Sequence, residues 1–178
     1  MNILFLDMDG VINSAETFKR INEDETFFKQ CLEGRQIPWI INPELRERIN
    51  EILRECSDCK VVWTSTWRMG LRSSKVLIEG HFNTCGFEKD VFVGFTPITH
   101  SSHRFMEILE WLNLFGEKLN VEKCVIIDDD SDADIPKNAG TASKKIADKF
   151  NIKFFQTQNE FGITEEIKNN IKMFLNGN

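Results

Sequence analysis

Short apolar runs separated by longer amphipathic stretches dominate the hydrophobic pattern of the chain. Each run is only a few residues long and has no helical period, which is typical of buried strands in a parallel sheet. The runs occupy residues 3–6, 61–63, 91–93, 124–127 and 152–155. Because these strand-like runs alternate with helix-like segments, the pattern predicts an α/β fold whose parallel sheet is covered by helices on both faces.

The segments between the strands carry apolar residues at helical spacing. Asn42 and Pro43 indicate the start of one helix, because asparagine caps a helix and proline is tolerated at its first position. Thr164 is the predicted cap of the last helix. Further helices are predicted near residues 73–82, from residue 101 or 102 onward, and near residues 141–150.

Residues 14–41 do not follow this alternation. They carry apolar anchors without a long period, and only residues 15–22 favour a short helix. We interpret the segment as a flap or small cap over the site, with a packed surface loop as the alternative. Since the sequence contains no inter-domain linker, residues 1–178 are predicted to form a single domain.

Composition narrows the function classes. The net charge of −6 argues against a protein that coats nucleic acid through bulk charge. No apolar run approaches membrane-spanning length and no leader pattern precedes the first strand, so we expect no membrane contact and a cytoplasmic location. Five cysteines suit a reducing compartment, and the lone pair Cys56 and Cys59 is interpreted as a helix end meeting a strand rather than a zinc or redox site.

Acidic and hydroxyl residues collect at the carboxyl ends of three predicted strands. A parallel sheet brings such ends to one edge, although each group alone also fits an ordinary turn. Four clustered carboxylates would repel one another unless they hold a cation, and hard oxygen ligands at an open site suit Mg²⁺. The residues are Asp7, Asp9 and Gly10 after the first strand, Thr64 and Ser65 after the second, and Asp128 and Asp129 after residues 124–127.

A metal ion, carboxylates and hydroxyls in one place fit phosphoryl transfer. One carboxylate can attack phosphorus, and a second acid can move the protons. Thr64, Ser65 and the backbone at Gly10 are expected to hold the phosphate oxygens. A basic group must balance the charge of the transition state. Arg104, at the start of a predicted helix, is the candidate, with an exposed helix arginine as the alternative.

In their order and spacing, these groups resemble the motifs of the haloacid dehalogenase (HAD) superfamily. Asp7-Met8-Asp9-Gly10-Val11 resembles motif I, Thr64 motif II, Arg104 the basic residue of motif III, and Asp128-Asp129 motif IV. The resemblance implies a Rossmann-like three-layer α/β/α fold with a minimal cap, and magnesium held by the four aspartates. It also implies a phosphatase, with Asp7 as nucleophile forming an aspartyl-phosphate and Asp9 as acid and base.

A narrower resemblance concerns residues 64–68, whose sequence Thr-Ser-Thr-Trp-Arg is similar to a Ser-Ser-x-Trp-Arg pattern in HAD domains of Swiss Army Knife RNA repair proteins. The chain departs from that group at Ile12 and Ile163, where leucine is usual, and in a longer segment at 131–150. The resemblance implies a nucleotide or nucleic-acid end phosphate as substrate, with no obligate protein partner. The alternatives are a small phosphorylated metabolite, a phosphomutase, and a non-catalytic regulatory or binding protein.

Cationic residues are a further candidate surface for guiding the phosphate, and Arg68 among them is expected to contact it. The set comprises Arg68, Arg72, Lys75, His81, His100, His103 and Arg104. Arg72 and Lys75 fit solvated helix charges equally well. For Trp67, filling the core is favoured over stacking on a base.

Overall fold

The computed structural model describes residues 1–32, 39–71, 74–98, 103–136 and 139–177, with the side chains of 69–71 excepted. In this part of the chain, the strands form one parallel sheet in the order β3-β2-β1-β4-β5, which confirms the predicted parallel sheet. The strands are β1 (Asn2–Leu6), β2 (Cys59–Trp63), β3 (Phe92–Phe95), β4 (Lys123–Asp128) and β5 (Ile152–Gln156). Because β1 is central, the residues that follow it enter the middle of the carboxyl edge.

Helices connect the strands along the described chain. They are α1 (Ala15–Glu23), α2 (Glu25–Leu32), α3 (Pro43–Glu55), α4 (Lys75–Thr84), α5 (Arg104–Trp111), α6 (Thr141–Lys149) and α7 (Glu165–Asn176). The predicted caps are confirmed, because Asn42 accepts hydrogen bonds from the amides of α3 and Thr164 accepts one from the Ile167 amide. The predicted start of α5 at residue 101 or 102 lies outside the described residues. None of the described helices combines the length and the apolar character needed to cross a membrane.

The sheet separates the core into two layers, and the central strand β1 contributes side chains to both. Leu4 and Leu6 pack with α3, α4 and α7 on one face of the sheet. Ile3 and Phe5 pack with α5 and α6 on the other face. All four side chains are fully buried, so burial on both faces explains why the first apolar run does not alternate with polar residues. The predicted three-layer α/β/α architecture is confirmed.

The described residues of the segment 14–41 form two helices, where the sequence pattern favoured only one short helix. Ser14 caps the start of α1, because its hydroxyl accepts a hydrogen bond from the Thr17 amide. α2 was missed because its buried face consists of only Phe27 and Cys31, one turn apart, which is too short a pattern to detect. The role of this segment as a flap or cap stays a prediction.

The lone cysteine pair has the environment of a structural feature. Cys56 and Cys59 are buried and not joined in a disulfide. Burial raises the pKa of the Cys59 thiol to about 12, so its reactive thiolate is scarce at neutral pH. This favours the interpretation of a helix end meeting a strand.

Candidate active site

Three carboxylates lie together at the carboxyl edge of the sheet. Leu6 of β1 pairs in register with Ile127 of β4, so Asp7 and Asp128 follow side by side. One carboxylate oxygen from each of Asp7, Asp128 and Asp129 lies within 4.8 Å of the others, the one such group found among the described residues. Asp7 and Asp128 are buried and Asp129 is partly exposed. The site is therefore closed on the protein side and open toward Asp129.

Arg104 joins the two buried carboxylates. Its Nη1 donates a hydrogen bond of 3.0 Å to Asp7 Oδ1, and its Nε lies 3.2 Å from Asp128 Oδ2. Nη1 also donates to the backbone oxygen of Thr64, at 2.5 Å. The side chain is only 15% exposed, which differs from the alternative of an exposed helix arginine. The position fits the predicted role of Arg104, which itself stays a prediction.

The electrostatics of these carboxylates fit a cation. Burial and the neighbouring Asp7 raise the pKa of Asp128 to about 7, although Arg104 acts in the opposite direction. Burial also raises the pKa of Asp7, against the effect of Arg104. Asp128 Oδ2 is paired with Arg104 by charge but accepts no hydrogen bond in the described part of the chain. Buried carboxylate oxygens in this state suit a hard divalent cation, so the residues present fit the predicted metal.

Asp9 lies beside this group of carboxylates rather than within it. Its exposed carboxylate accepts hydrogen bonds from Asn13 Nδ2, at 2.9 Å to Oδ1, and from Trp67 Nε1, at 2.7 Å to Oδ2. The sequence interpretation counted Asp9 among the metal ligands, and a contribution through its backbone carbonyl stays a prediction. The carboxylate itself is directed by Trp67, a contact that sequence reasoning missed. The one feature of the sequence that could have indicated this contact is the position of Trp67 within the Thr-Ser-Thr-Trp-Arg stretch, residues 64–68.

Gly10 allows the loop after β1 to pass close to Asp129. Its φ is +67°, and a Cβ at this position would lie 2.3 Å from Asp129 Cγ. Its amide donates to Asn13 Oδ1 at 3.2 Å, and its carbonyl accepts from Thr157 Oγ1 at 2.7 Å. The turn is thus held from two sides, and the amide expected to bind phosphate already has an acceptor within the loop.

We expect Gly10→Ala to lower both stability and metal affinity. The left-handed backbone alone costs an L-residue roughly 1–2 kcal/mol, and the new methyl group must displace Asp129. Thermal unfolding and a magnesium titration measure the two effects. Gly80→Ala is the control, because a Cβ there meets nothing within 4 Å and alanine favours α4. Equal magnesium affinity in Gly10→Ala and the wild type would contradict the assigned role of this turn.

Thr64 and Ser65 follow β2 and are fully buried. Burial raises the pKa of Asp7, and a hydrogen bond from the Ser65 hydroxyl to the Asp7 carboxylate partly offsets this rise. Thr64 Oγ1 has no hydrogen-bond partner in the part of the chain that the structure describes. A buried hydroxyl without a partner beside a group of carboxylates is available to donate to a phosphate oxygen. The structure therefore brings both predicted hydroxyl residues to the site.

The expected phosphate contact of Arg68 stays a prediction, and in the structure its guanidinium contacts other protein groups. It is only 2% exposed and forms a buried ion pair through Nη2 with Glu107. Its Nε donates to the Thr96 carbonyl at 3.1 Å, and its Nη1 donates to the carbonyls of Ser65, at 2.6 Å, and Thr64. Each guanidinium nitrogen thus already has an acceptor. Arg68 holds the loop after β2 against α5, the helix that carries Arg104.

Glu107→Gln is expected to destabilise the protein by roughly 3–5 kcal/mol, because it leaves the buried Arg68 charge uncompensated. Denaturant unfolding measures this change. Replacing both Arg68 and Glu107 by methionine should recover much of the loss, since neither charge then remains buried. Glu25→Gln in the exposed pair with Lys29 is the control and should change stability by less than about 0.5 kcal/mol. An unchanged unfolding midpoint in Glu107→Gln would contradict a stabilising role of the ion pair between Arg68 and Glu107.

The remaining cationic residues do not form one described cluster. Lys75 is exposed and lines an apolar groove with Val93 and Phe95 of β3. His81 is partly exposed and packs against Trp39, with 5.1 Å between ring centroids. His103 is exposed at the start of α5. Arg72 and His100 lie outside the described residues, so a guiding surface formed by the whole set stays a prediction.

Comparison with known proteins agrees with this arrangement. A search of curated proteins and a search of solved structures found no match. A family model described as the HAD domain in Swiss Army Knife RNA repair proteins matches residues 3–167, a range that includes every residue of the site. The resemblance predicted from the sequence is confirmed: the chain belongs to the family of HAD domains found in Swiss Army Knife RNA repair proteins.

Proposed function

We propose that the protein is a magnesium-dependent phosphomonoesterase that works through an aspartyl-phosphate on Asp7. The observation that carries this proposal is the 3.0 Å ion pair between Arg104 and Asp7 at the edge of the three grouped carboxylates. Membership of the HAD family supports a metal-dependent hydrolase. The pairing adds a positioned nucleophile and a cation beside it, which are the parts that phosphoryl transfer needs.

In the proposed reaction, an oxygen of Asp7 attacks phosphorus while the bond from phosphorus to the leaving oxygen breaks. Asp9 gives a proton to that leaving oxygen. Asp9 then takes a proton from a water molecule, which attacks phosphorus and releases phosphate together with the regenerated Asp7 carboxylate. In this proposal, the Thr64 hydroxyl, which has no hydrogen-bond partner in the described part of the chain, and the Arg104 guanidinium would hold the oxygens of the phosphoryl group.

Asp7, Asp128 and Asp129 would hold the magnesium ion. When bound, the ion supplies positive charge that offsets the repulsion between the Asp7 carboxylate and an anionic phosphate. Two of the three carboxylates, Asp7 and Asp128, are buried, so a cation bound there would interact with them more strongly than in water. Arg104 also offsets the negative charge of these carboxylates, since it contacts both Asp7 and Asp128.

The test of the proposed function is release of inorganic phosphate from p-nitrophenyl phosphate, mononucleotides, phosphorylated oligonucleotides and sugar phosphates. We expect release with magnesium chloride, loss with EDTA and recovery when magnesium is restored. We also propose that the phosphate lies on a nucleotide or a nucleic-acid end, which the RNA repair setting of the family supports. No release from any substrate by folded protein with magnesium present would overturn the proposal.

Magnesium should stabilise the folded protein more at about pH 8 than at about pH 6. The Asp128 carboxyl has its pKa raised to about 7 in the fold, from 3.8 in the unfolded chain. Without metal, this group therefore lowers stability as the pH rises through that window, and protons compete with the metal at the acidic end. Thermal unfolding in magnesium or EDTA at the two pH values measures both trends.

The control for this magnesium shift is Asp134→Asn, which changes an exposed carboxyl outside the group of three carboxylates and should keep the shift. Asp128→Asn should lose it. A magnesium shift of the same size in Asp128→Asn and the wild type would show that the ion binds elsewhere.

A further inference from the structure

Three aromatic side chains are neighbours in space, and one of them, Trp67, contacts Asp9. The ring centroids of Trp67 and Trp39 are 4.6 Å apart, and those of Trp39 and His81 are 5.1 Å apart. The three come from different elements: the 3-10 helix Thr66–Leu71, the chain that leads into α3, and α4. We call Trp39, Trp67 and His81 the aromatic platform.

The aromatic platform differs from the core tryptophans in its exposure. Trp63 is fully buried and Trp111 is 2% exposed, whereas all three members of the platform are partly exposed. Trp39 and Trp67 pack against the core and also reach the protein surface, and Trp67 does so beside the proposed acid Asp9. Such surfaces are typical of ligand contacts.

A hydrogen bond fixes the aromatic platform relative to the proposed chemistry. Trp67 Nε1 donates to Asp9 Oδ2 at 2.7 Å. The acid that protonates a leaving oxygen must lie within hydrogen-bonding distance of it. Whatever group is attached to that oxygen therefore leaves the site beside the Trp67 indole. The phosphoryl side is set by Asp7 and Arg104, so the platform lies on the leaving-group side.

Planar indole faces of this kind favour flat, apolar or aromatic leaving groups. Nucleobases stack on such rings whatever their identity, because each base has a π-face. The net charge of −6 makes a broad electrostatic contact with a long nucleic-acid tract unfavourable, so recognition must come from a few local contacts. A single base stacked beside the phosphate satisfies this condition.

We propose that the aromatic platform binds the planar base of a nucleoside whose phosphate is removed at Asp7. The inference rests on the proposed function and adds the residues that would bind the base of the substrate. Trp39 is the specificity residue of the platform, because Trp67 also holds the acid Asp9. A mononucleotide and the phosphorylated end of an oligonucleotide share this chemistry.

The test compares substrates that differ only in the base: a nucleoside 5′-monophosphate and ribose 5-phosphate. We expect Trp39→Ala to raise KM for the nucleotide at least about 5-fold, as expected for loss of one stacking contact, with KM for ribose 5-phosphate unchanged. Trp39→Phe should keep most of the affinity. Trp39→Leu should behave like Trp39→Ala while filling the space against Trp63, so a folding defect in the alanine variant leaves the test intact. Phe115→Ala, an exposed aromatic in the π-helical turn Leu112–Gly116, is the control and should change neither KM.

A binding measurement separates failure of the inference from failure of the proposed function. In the Asp7→Asn protein, we expect calorimetry to show tighter binding of the nucleotide than of ribose 5-phosphate, and loss of this difference in Asp7→Asn/Trp39→Leu. A 5′-phosphorylated oligonucleotide as a third ligand tells whether a polynucleotide end or a mononucleotide fits better. Equal binding of base-bearing and base-free phosphates, or an equal effect of Trp39→Leu on both, would overturn the inference even if phosphate is hydrolysed.

Discussion

Asp7→Asn is expected to lower kcat for phosphate release by at least about 1,000-fold, while the protein stays folded. The substitution removes the attacking oxygen but keeps the shape of the side chain. Burial raises the pKa of Asp7, so its carboxylate is held in the fold against an unfavourable environment. A neutral amide therefore leaves the metal-free protein at least as stable as the wild type. Phosphate release assays and thermal unfolding in EDTA measure the two quantities.

This opposite behaviour of activity and stability distinguishes a functional carboxylate from a structural one. Asp134→Asn, at an exposed position outside the group of three carboxylates, is the matched control and should change neither quantity. Wild-type turnover in Asp7→Asn would remove the nucleophile from the mechanism. A large fall in metal-free stability would instead identify Asp7 as part of the structural framework.

Arg104→Gln is expected to reduce activity at least about 100-fold and to destabilise the metal-free protein by roughly 3–5 kcal/mol. The substitution leaves two buried carboxylates, Asp7 and Asp128, without the guanidinium that lies between them. Both carboxyls already have a raised pKa, so the destabilisation should grow as the pH rises above about 7. Magnesium should restore part of the stability. Unfolding curves at several pH values, with magnesium or EDTA, measure this pattern.

Arg104→Lys separates the charge of this residue from its geometry. A lysine supplies the charge, but its ammonium cannot contact Asp7, Asp128 and the Thr64 carbonyl in the way that the guanidinium does. We therefore expect most of the stability to return and only part of the activity. Lys29→Gln, in an exposed pair with Glu25, is the control and should leave both unchanged. Equal stability of Arg104→Gln and the wild type at high pH in EDTA would contradict this account.

The sheet and the position of the site could be predicted because one physical pattern specifies both. Residues 3–6 are buried on both faces, so the first strand carries no polar residue until it reaches the edge of the sheet at Asp7. Asp128 follows the neighbouring strand in register. The same apolar run that indicates a strand therefore also indicates where the polar site begins, and strand order does not need to be known in advance.

The direction of each side chain around the site could not be predicted in this way. Trp67 and Arg68 are adjacent in sequence, yet one reaches Asp9 and the other is buried against Glu107, 39 residues further along the chain. Their directions depend on the 3-10 helix Thr66–Leu71 and on where α5 packs. Since these are tertiary effects, residue type alone suggested a phosphate contact for Arg68. It correctly suggested that Trp67 packs against the core, but not that its Nε1 contacts Asp9.

The most direct test of the central claim is to identify the residue that carries the phosphoryl group during turnover. Protein mixed with magnesium and substrate is quenched in acid within the first turnover, digested, and analysed by mass spectrometry. The account predicts one phosphoryl group on the peptide that contains Asp7, removed by hydroxylamine and absent from Asp7→Asn. Phosphate release with no phosphorylated peptide at any quench time, or a phosphoryl group on another residue, would contradict the role of Asp7 as nucleophile.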